Sequence, residues 1–326
     1  MKTRILGKTG LSVSEIGLGC WQLGGDFGPV SEALATQILD AAWDQGISLW
    51  DTADVYGAGE SEQRIGDWRA RTGHPVTVIT KLGRDASLYP SNYSKAGIRA
   101  SLQGSARRLG VESLTLAQLH CVPFEVLRDG EIFTWLDELC SEGLIQHYGA
   151  SVETLDEGLH CLAQPKLASL QIIFNLFRQD AITELLPAAA QAKVGVIVRL
   201  PLASGLLSGK FGRDHRFDAR DHRNFNRDGQ AFNVGETFSG LPFETALDRV
   251  EKLQACVPRG MTMAQFALRW ILDQPAVSTV IAGVSKPEQV AQNVSASEFD
   301  ALPRALHQQL FEFYVSEIRD QVRGRI

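Results

Sequence analysis

The feature that most constrains the fold is an alternation of short apolar runs and longer amphipathic stretches, repeated about eight times after Ile16. Each apolar run predicts a buried strand, and the periodicity of the stretch that follows predicts a helix. Strand–helix units in this number favour a closed (β/α)8 TIM barrel over an open sheet. The strands are predicted over 16–19, 47–51, 76–81, 114–119, 145–149, 168–172, 194–198 and 277–281.

The predicted helices outnumber the strands by two. They cover a segment capped by Ser31 and ended by Gly46, then 60–71, 91–109, 131–142, 153–162, 182–192, 243–256, 262–272, 287–295 and 303–319. Before the first barrel strand, residues 3–17 show alternating runs around a Lys8-Thr9-Gly10 turn, which predicts a β-hairpin. The fold expected is therefore an α/β barrel with an N-terminal hairpin and two extra helices.

The chain shows no linker and no shift in composition, so residues 1–326 are expected to form a single domain. Residues 211–240 form a long Arg-, Asp-, His- and Asn-rich loop after the seventh strand. Connections of this length are often lids or binding loops, and they are also often solvated excursions. The sequence favours neither interpretation.

Charge and cysteine content exclude several classes of function. The 38 acidic residues exceed the 32 basic ones, which argues against general binding to nucleic acids or anionic membranes. The N-terminus lacks a signal-peptide core, and no apolar run is long enough to span a membrane. The five scattered cysteines support neither a disulfide framework nor a zinc site. A cytoplasmic protein without a metal is expected; the oligomeric state is left open.

Four polar residues lie at or just beyond the ends of consecutive predicted strands. Asp51 ends one strand, Tyr56 follows it, Lys81 ends the next, and His120 follows the third. Strand ends of a barrel converge on one mouth, so one site would hold all four. There, an ammonium beside the phenol would lower the pKa of Tyr56, Asp51 would hold Lys81, and His120 would orient a substrate oxygen. This set is suited to passing a proton to or from a carbonyl oxygen.

Each of these residues alone is more often structural, a turn acid, a surface lysine or a core histidine; their occurrence together reverses that balance. The chain also resembles the aldo-keto reductase family over nearly its whole length. The resemblance rests on the hairpin and first strand, Arg4-x-Leu6-Gly7-x-Thr9-Gly10-Leu11-x-Val13-Ser14-x-Ile16-Gly17-Leu18-Gly19, and on Asp51-Thr52-Ala53-x-x-Tyr56-Gly57-x-Gly59-x-Ser61-Glu62, Thr80-Lys81 and Leu119-His120. It implies a barrel oxidoreductase with Tyr56 as general acid, tuned by Lys81 and Asp51, and His120 as orienter.

The resemblance also implies a bound nicotinamide cofactor, preferably NADP(H). Ser151 and Gln171 would hold the carboxamide, while Arg199 stands at the position that stacks on the nicotinamide and is often aromatic. NAD(H) remains open because Gln289 replaces an arginine found in many members. The full set of implied cofactor contacts is Gly19, Cys20, Trp21, Ser151, Gln171, Arg199, Pro201, Leu202, Gly205, Leu207, Lys210, Gly283, Ser285, Lys286, Gln289 and Asn293.

The expected substrate is a small carbonyl compound or alcohol that contacts Trp21, Tyr56 and His120. Cys121 replaces the tryptophan that often follows the histidine in this family, which would widen one wall of the site or make it less polar. Two other functions were weighed. A cofactor-binding regulatory subunit with little turnover is the main alternative. A metal-dependent hydrolase is disfavoured because, of the seven histidines, only His120 is placed at a strand end.

Overall fold

The computed structural model describes residues 1–324 and contains the closed barrel that the sequence predicts. Its eight parallel strands follow one another around the barrel in chain order, and the last pairs with the first. They are β3 (Ile16–Gly19), β4 (Leu49–Asp51), β5 (Thr77–Leu82), β6 (Leu114–His120), β7 (Ile145–Ser151), β8 (Ser169–Ile173), β9 (Gly195–Arg199) and β10 (Val277–Gly283).

The predicted hairpin is also present, as antiparallel strands β1 (Thr3–Ile5) and β2 (Ser12–Ser14). Its buried residues Leu6 and Val13 pack against side chains inside the barrel, including Leu49 at the start of β4. The hairpin thereby closes the end of the barrel where the strands begin. The opposite mouth, where the strands end, is left for a functional site.

All ten predicted helices are confirmed, and two short helices, α4 and α8, were not predicted. The α-helices described within residues 1–324 are α1 (Glu32–Asp44), α2 (Glu60–Thr72), α3 (Lys95–Leu109), α4 (Phe124–Asp129), α5 (Glu131–Ser141), α6 (Leu155–Leu162), α7 (Leu185–Ala192), α8 (His222–Phe225), α9 (Phe243–Gln254), α10 (Met263–Leu272), α11 (Glu288–Val294) and α12 (Arg304–Glu317). Among these described helices, none has the length and apolarity needed to cross a bilayer.

Helix starts follow the capping residues that the sequence contains. Ser31 accepts a hydrogen bond from the Leu34 backbone N–H at 3.2 Å and so begins α1, as predicted. Helix α3 begins at Lys95, later than predicted, because the Ser94 side chain caps it. Local side-chain chemistry thus sets where the helices begin.

Strands β6 and β7 run further than their apolar runs predict. His120 pairs with Ser151, and Ser151 pairs with Gln171 of β8, so the polar ends of the strands remain in the sheet. Parallel neighbours keep a polar strand end paired even where the hydrophobic pattern has stopped. This register brings three polar side chains to the same level of the barrel mouth.

Candidate active site

The four residues expected to form a catalytic group lie together at the barrel mouth. Lys81 Nζ donates to Asp51 Oδ1 at 2.5 Å, to the Thr52 carbonyl at 2.9 Å and to Tyr56 Oη at 3.1 Å. The His120 ring packs edge-on against the Tyr56 ring, with 5.8 Å between their centroids. The arrangement is a chain of contacts from carboxylate to ammonium to phenol, with an imidazole beside the phenol.

Tyr56 is placed by a strained turn in the loop that follows β4. The turn, Tyr56–Gly59, contains Gly57 and Ala58 in the left-handed region, with φ values of 59° and 54°. A Cβ atom on Gly24 would lie 2.5 Å from the Gly57 backbone nitrogen. The turn therefore packs against the loop after β3 without room for a side chain between them. Strain of this kind is tolerated where the surrounding structure enforces it.

The pKa of Tyr56, which contacts Lys81, differs from the sequence-based expectation. Burial raises the pKa of Tyr56 and the Asp51 carboxylate adds to this, so the pKa reaches about 12 although the Lys81 ammonium lowers it. The expectation that Lys81 leaves the phenol with a depressed pKa is therefore wrong for this structure, because desolvation outweighs the ammonium. Burial lowers the pKa of Lys81, but Asp51 and Tyr56 together raise it to about 12.

His120 carries a neutral imidazole. Burial lowers its pKa well below the ordinary value, and the cationic side chains of Arg84, Lys81 and Arg199 add to the effect. Its Nδ1 is buried and has no hydrogen-bond partner among the described residues. A buried polar atom without a partner is uncommon, and at the mouth of a cleft it is suited to contact a ligand.

Asp51, Tyr56 and His120 border a cleft with two chambers that share lining residues, while Lys81 lines neither chamber. We call the first the inner chamber; its empty volume is about 1160 Å³. The second, the outer chamber, has an empty volume of about 1220 Å³. Trp21, Tyr56, His120 and Glu236 line both chambers. Ligands bound in the two chambers would therefore come together at Tyr56 and His120.

Many residues expected to contact a cofactor line the inner chamber: Gly19, Trp21, Gln171, Arg199, Pro201, Leu202, Gly283, Ser285 and Gln289. Gly19 and Gly283 are paired at the ends of β3 and β10 and form part of its floor. A Cβ atom on Gly283 would lie 1.9 Å from the Gln22 side-chain nitrogen. The glycine at this strand end therefore leaves room for the Gln22 side chain, which also lines the chamber.

The other residues of that expected set lie outside the inner-chamber lining. Lys286, Lys210, Asn293, Leu207, Gly205, Ser151 and Cys20 do not border it. Cys20 and Leu207 are fully buried. The Ser151 hydroxyl lies 3.5 Å from Gln171 Oε1, while Gln171 Nε2 donates to Asp51 Oδ2 at 2.8 Å. The Gln171 amide thus holds the Asp51 carboxylate at the inner chamber, which both residues line.

The loop after β9 forms one wall of the inner chamber. Its helical turn, Ala203–Ser208, contains Ser204 and Gly205 in the left-handed region, at φ values of 57° and 94°. Gly205 leaves room for the Phe211 ring, which a Cβ atom would approach to 3.1 Å. The Ala203 and Gly205 N–H groups donate to the Leu200 and Leu202 carbonyls at 3.0 and 2.9 Å, so these donors stabilise the turn itself.

At the start of α11, the Gln289 side chain binds Ser285 and Lys286, two of the residues expected from the sequence to contact the cofactor. Its Oε1 accepts hydrogen bonds from the Ser285 N–H at 2.7 Å and the Lys286 N–H at 3.1 Å. The Ser285 hydroxyl donates to the same oxygen at 3.2 Å. The residue that replaces the family arginine therefore satisfies these donors itself.

Residues 211–240 cover part of the mouth. His222 is fully buried; its ring lies 4.7 Å from Trp21 and 4.4 Å from Phe27 between centroids. Arg223 binds Asp221 through both carboxylate oxygens and lines the inner chamber. The interpretation of this segment as a solvated excursion is therefore wrong for its central part.

An ion-pair network that sequence reasoning missed joins this segment to the barrel. Glu236 binds Arg84 at 3.1 Å and Arg199 at 3.4 Å, and Arg84 also binds Glu153 at 3.4 Å. Asn233 donates to Glu153 at 2.8 Å. Arg84 and Glu236 are 152 positions apart, so no local pattern predicts their contact. The only sequence signal was the position of Arg84, Glu153 and Arg199 at or after strand ends.

A closed (β/α)8 barrel with Asp51, Tyr56, Lys81 and His120 at its mouth defines the class of the protein as a barrel oxidoreductase. The comparison with known families makes the assignment specific: the sequence model of the aldo/keto reductase family matches residues 15–314. The chain belongs to the aldo/keto reductase family.

Two curated relatives illustrate the range of the family. The chain is 31% identical over 299 residues to the aldo-keto reductase YhdN of Bacillus subtilis (strain 168), covering 89% of this chain and 87% of that protein. It is 30% identical over 326 residues to a putative voltage-gated potassium channel subunit beta of Schizosaccharomyces pombe, covering 91% and 88%.

Solved structures have the same fold over the full chain. The holo form of the aldo-keto reductase AKR11C1 from Bacillus halodurans is 27% identical with a TM-score of 0.79, covering 99% of this chain and 100% of that one. The glycerol dehydrogenase AKR11B4 from Gluconobacter oxydans is 28% identical with a TM-score of 0.79, covering 99% and 98%. An aldo-keto reductase from Klebsiella pneumoniae in complex with NADPH, 23% identical with a TM-score of 0.71 and covering 100% and 99%, shares the fold.

Proposed function

We propose that this protein is an NADP(H)-dependent oxidoreductase that interconverts an aldehyde or ketone with the corresponding alcohol by hydride transfer. Tyr56 acts as the general acid in reduction and the general base in oxidation. The observation that carries the proposal is the contact of the Tyr56 hydroxyl with Lys81 Nζ at 3.1 Å, at the junction of the two chambers. Membership of the aldo/keto reductase family supports the reaction class.

The inner chamber fits a nicotinamide dinucleotide. Its lining includes Gly19 and Gly283, the turn after β9 and the buried Arg199 guanidinium, whose Nε has no partner among the described residues. We assign to the cofactor the expected residues that line the inner chamber, together with Ser151 beside Gln171 at the carboxamide and Lys286 at the 2′-phosphate. NADP(H) is preferred and NAD(H) is the competing choice. When bound, the cofactor supplies or accepts the hydride at the carbonyl carbon.

The chain's own residues then handle the oxygen and its proton. The neutral His120 ring donates a hydrogen bond that orients the carbonyl oxygen toward the Tyr56 hydroxyl. As the C–H bond forms and the C=O double bond becomes a single bond, the phenol proton moves to the oxygen. The Lys81 ammonium stabilises the phenolate that is left, and Asp51 keeps Lys81 charged.

Replacing Tyr56 with phenylalanine tests the proposal. The Tyr56→Phe variant should lose about 100- to 10,000-fold in kcat/KM for aldehyde reduction, because the proton donor is removed. NADPH binding, followed by fluorescence titration, should be retained. Tyr89→Phe is the matched control, since Tyr89 is a half-exposed residue at the outer chamber that should not donate the proton. Full activity in Tyr56→Phe would refute the assignment.

A regulatory subunit that binds the cofactor with little turnover is a second candidate, favoured by the similarity to the putative potassium channel subunit beta. Co-purification of a stoichiometric partner, together with no turnover on a panel of aldehydes, would select this alternative. Measurable turnover that depends on Tyr56 would select the enzyme.

A further inference from the structure

Arg199 brings a positive charge to the part of the inner chamber where the reacting groups meet. It is the last residue of β9, it is buried, and it lines the inner chamber together with Tyr56 and His120. Its guanidinium donates to the Val152 carbonyl at 3.2 Å and to the Cys121 sulfur at 3.5 Å. Because a guanidinium stays protonated at any pH at which enzymes work, this charge is permanent.

Two other charged side chains that line the inner chamber have their charge balanced by a close partner. The Asp51 carboxylate accepts from Lys81 at 2.5 Å, and Arg223 binds Asp221 through both carboxylate oxygens. Opposite charges this close together largely cancel for a ligand that lies outside the pair. These two pairs therefore add little to the net charge that a ligand in the inner chamber experiences.

The charge of Arg199 is balanced only in part. The Glu236 carboxylate is shared by two guanidiniums, at 3.1 Å to Arg84 and 3.4 Å to Arg199. Arg84 also binds Glu153 at 3.4 Å. Arg84 and Glu153 line the outer chamber, Arg199 lines the inner one, and Glu236 lines both. The carboxylate is thus divided between the chambers, while the guanidinium of Arg199 belongs to the inner one.

The neighbouring His120 ring already experiences this charge. Burial lowers the pKa of His120 well below its usual value. Three cationic side chains, Arg84, Lys81 and Arg199, lower it further because they repel an imidazolium. A ligand ring bound in the inner chamber beside Tyr56 and His120 would meet the same kind of repulsion from Arg199 if that ring carried a positive charge.

The two redox forms of a nicotinamide cofactor differ in this charge. The reduced ring is neutral, and the loss of a hydride, one proton and two electrons, to the carbonyl carbon leaves a pyridinium cation. Tyr56 supplies the separate proton that the oxygen takes up. A cation of the protein close to the ring therefore disfavours the oxidised form relative to the reduced form, and a carboxylate has the opposite effect.

We propose that Arg199 and Glu236 set the relative affinity of the site for the two redox forms of the cofactor. Arg199 favours the reduced form by repelling a pyridinium, and Glu236 moderates this preference. The site then takes up reduced cofactor and readily releases the oxidised product, which suits a reductase. The inference rests on the proposed function and assigns to these two residues a role in cofactor discrimination at the same site.

The ratio of the Kd of NADP⁺ to the Kd of NADPH measures this preference without any turnover, and fluorescence titration gives both constants. Arg199→Gln removes the positive charge and keeps a polar side chain, so the ratio should fall about tenfold. Glu236→Gln removes the opposing charge, so the ratio should rise by about threefold or more. NAD⁺ and NADH replace the phosphorylated pair if the protein prefers NAD(H).

Two further variants separate charge from structure. Arg199→Lys keeps the cation and loses the planar guanidinium, so the ratio should stay within about twofold of that of the unmodified protein even if both forms bind more weakly. Arg216→Gln is the matched control, because it removes an exposed guanidinium that lines neither chamber, and it should leave the ratio unchanged. A structural change that affects both redox forms equally cancels in the ratio.

An unchanged ratio in Arg199→Gln, or an equal fall of the ratio in Arg199→Lys, would overturn the inference and leave the proposed function intact. If Arg199→Gln does not fold, Glu236→Gln decides, and a ratio that is unchanged or lower in that variant overturns the inference. If the protein binds both cofactor forms but reduces no aldehyde, the proposed function fails, while the ratios still decide the inference. If it binds neither form, both fail.

Discussion

The four-residue group at the barrel mouth could be predicted from sequence because each member lies at or after a strand end, and strand ends of a barrel meet. The prediction that Asp51, Lys81 and His120 share one site required no knowledge of the strand register beyond this rule. The residues that were missed make contacts that no local pattern encodes. Glu236 binds Arg84 from 152 positions away, and His222 reaches Trp21 only because residues 211–240 fold back over the mouth.

The direction in which the pKa of Tyr56 shifts could also not be decided from the sequence. The presence of Lys81 was predictable, and so was the sign of its effect on the phenol. The extent of burial was not, and burial is the larger effect. The consequence for the proposed mechanism is a phenol that stays protonated across the neutral range and is ready to donate.

The pH dependence of the two reaction directions tests this protonation state. Reduction needs the protonated phenol, so kcat/KM for an aldehyde should be flat between about pH 6 and 9, because the pKa of Tyr56 is about 12. Oxidation of the alcohol needs the phenolate, so its rate should rise about tenfold per pH unit over the same range. Steady-state kinetics in both directions measures this.

The Tyr56→Phe variant serves as the control for the pH experiment. Its residual oxidation should lose the steep rise with pH, because no phenol is left to ionise. A reduction rate in the unmodified protein that falls by half between pH 7 and 8 would contradict the stated ionisation of Tyr56.

At the scale of elements, the sequence stretch that carries Tyr56 combines chemistry with structural contacts. Ser61 donates to the Cys20 carbonyl at 2.8 Å and accepts from Thr52 at 2.9 Å. Glu62 is fully buried and binds Arg108 at 2.7 Å. These contacts attach the start of α2 to the barrel and so fix the turn that positions Tyr56. Residues of a family signature thus need not touch a substrate.

Residues 211–240 were the element that sequence could not interpret. Their polar composition is equally suited to a solvated loop and to a cover held by ion pairs. The structure shows contacts at several points, through His222, Arg223, Asn233 and Glu236. We propose that this segment opens to admit ligand, and its buried histidine offers a way to test that.

Acidification should loosen this segment. Burial lowers the pKa of His222 from 6.5 to about 4, with Arg223 lowering it further and Asp221 and Glu236 opposing. Between these values the opened segment binds a proton that the closed one excludes, so closure loses stability as pH falls from about 6.5 to 4. The difference between the two pKa values of His222 corresponds to about 3 kcal/mol in the free energy of closure. Limited proteolysis within 211–240 should therefore be faster at pH 5 than at pH 7.5.

The His222→Phe variant isolates this effect, because phenylalanine fits among Trp21, Phe27 and Phe232 and does not titrate. Its proteolysis within the segment should depend much less on pH. The comparison with the unmodified protein also removes the contribution of other groups, including the buried His120. Equal pH dependence in both proteins would refute the role of His222.

At the scale of the whole molecule, counting strand–helix units was enough to predict barrel closure. The hairpin at the closed end was also predictable, since its turn and alternation are local. The register of neighbouring strands was not, and it decides that His120, Ser151 and Gln171 lie at one level. Register depends on how the whole barrel packs, so it lies beyond what one strand's pattern encodes.

The whole chain should respond to cofactor as one unit. We propose that residues 1–326 form a single domain, because one hydrophobic cluster includes residues from most strands and helices. Thermal unfolding should then show one cooperative transition, and NADPH at 100 times its Kd should stabilise the folded state by about 2.7 kcal/mol.

NADH at the same concentration should raise Tm less, because it lacks the 2′-phosphate assigned to Lys286. Differential scanning calorimetry measures both effects, with adenosine as a control ligand that lacks the phosphates. Two separate transitions would refute the single domain, and an equal Tm shift with NADH would refute the preference for NADP(H).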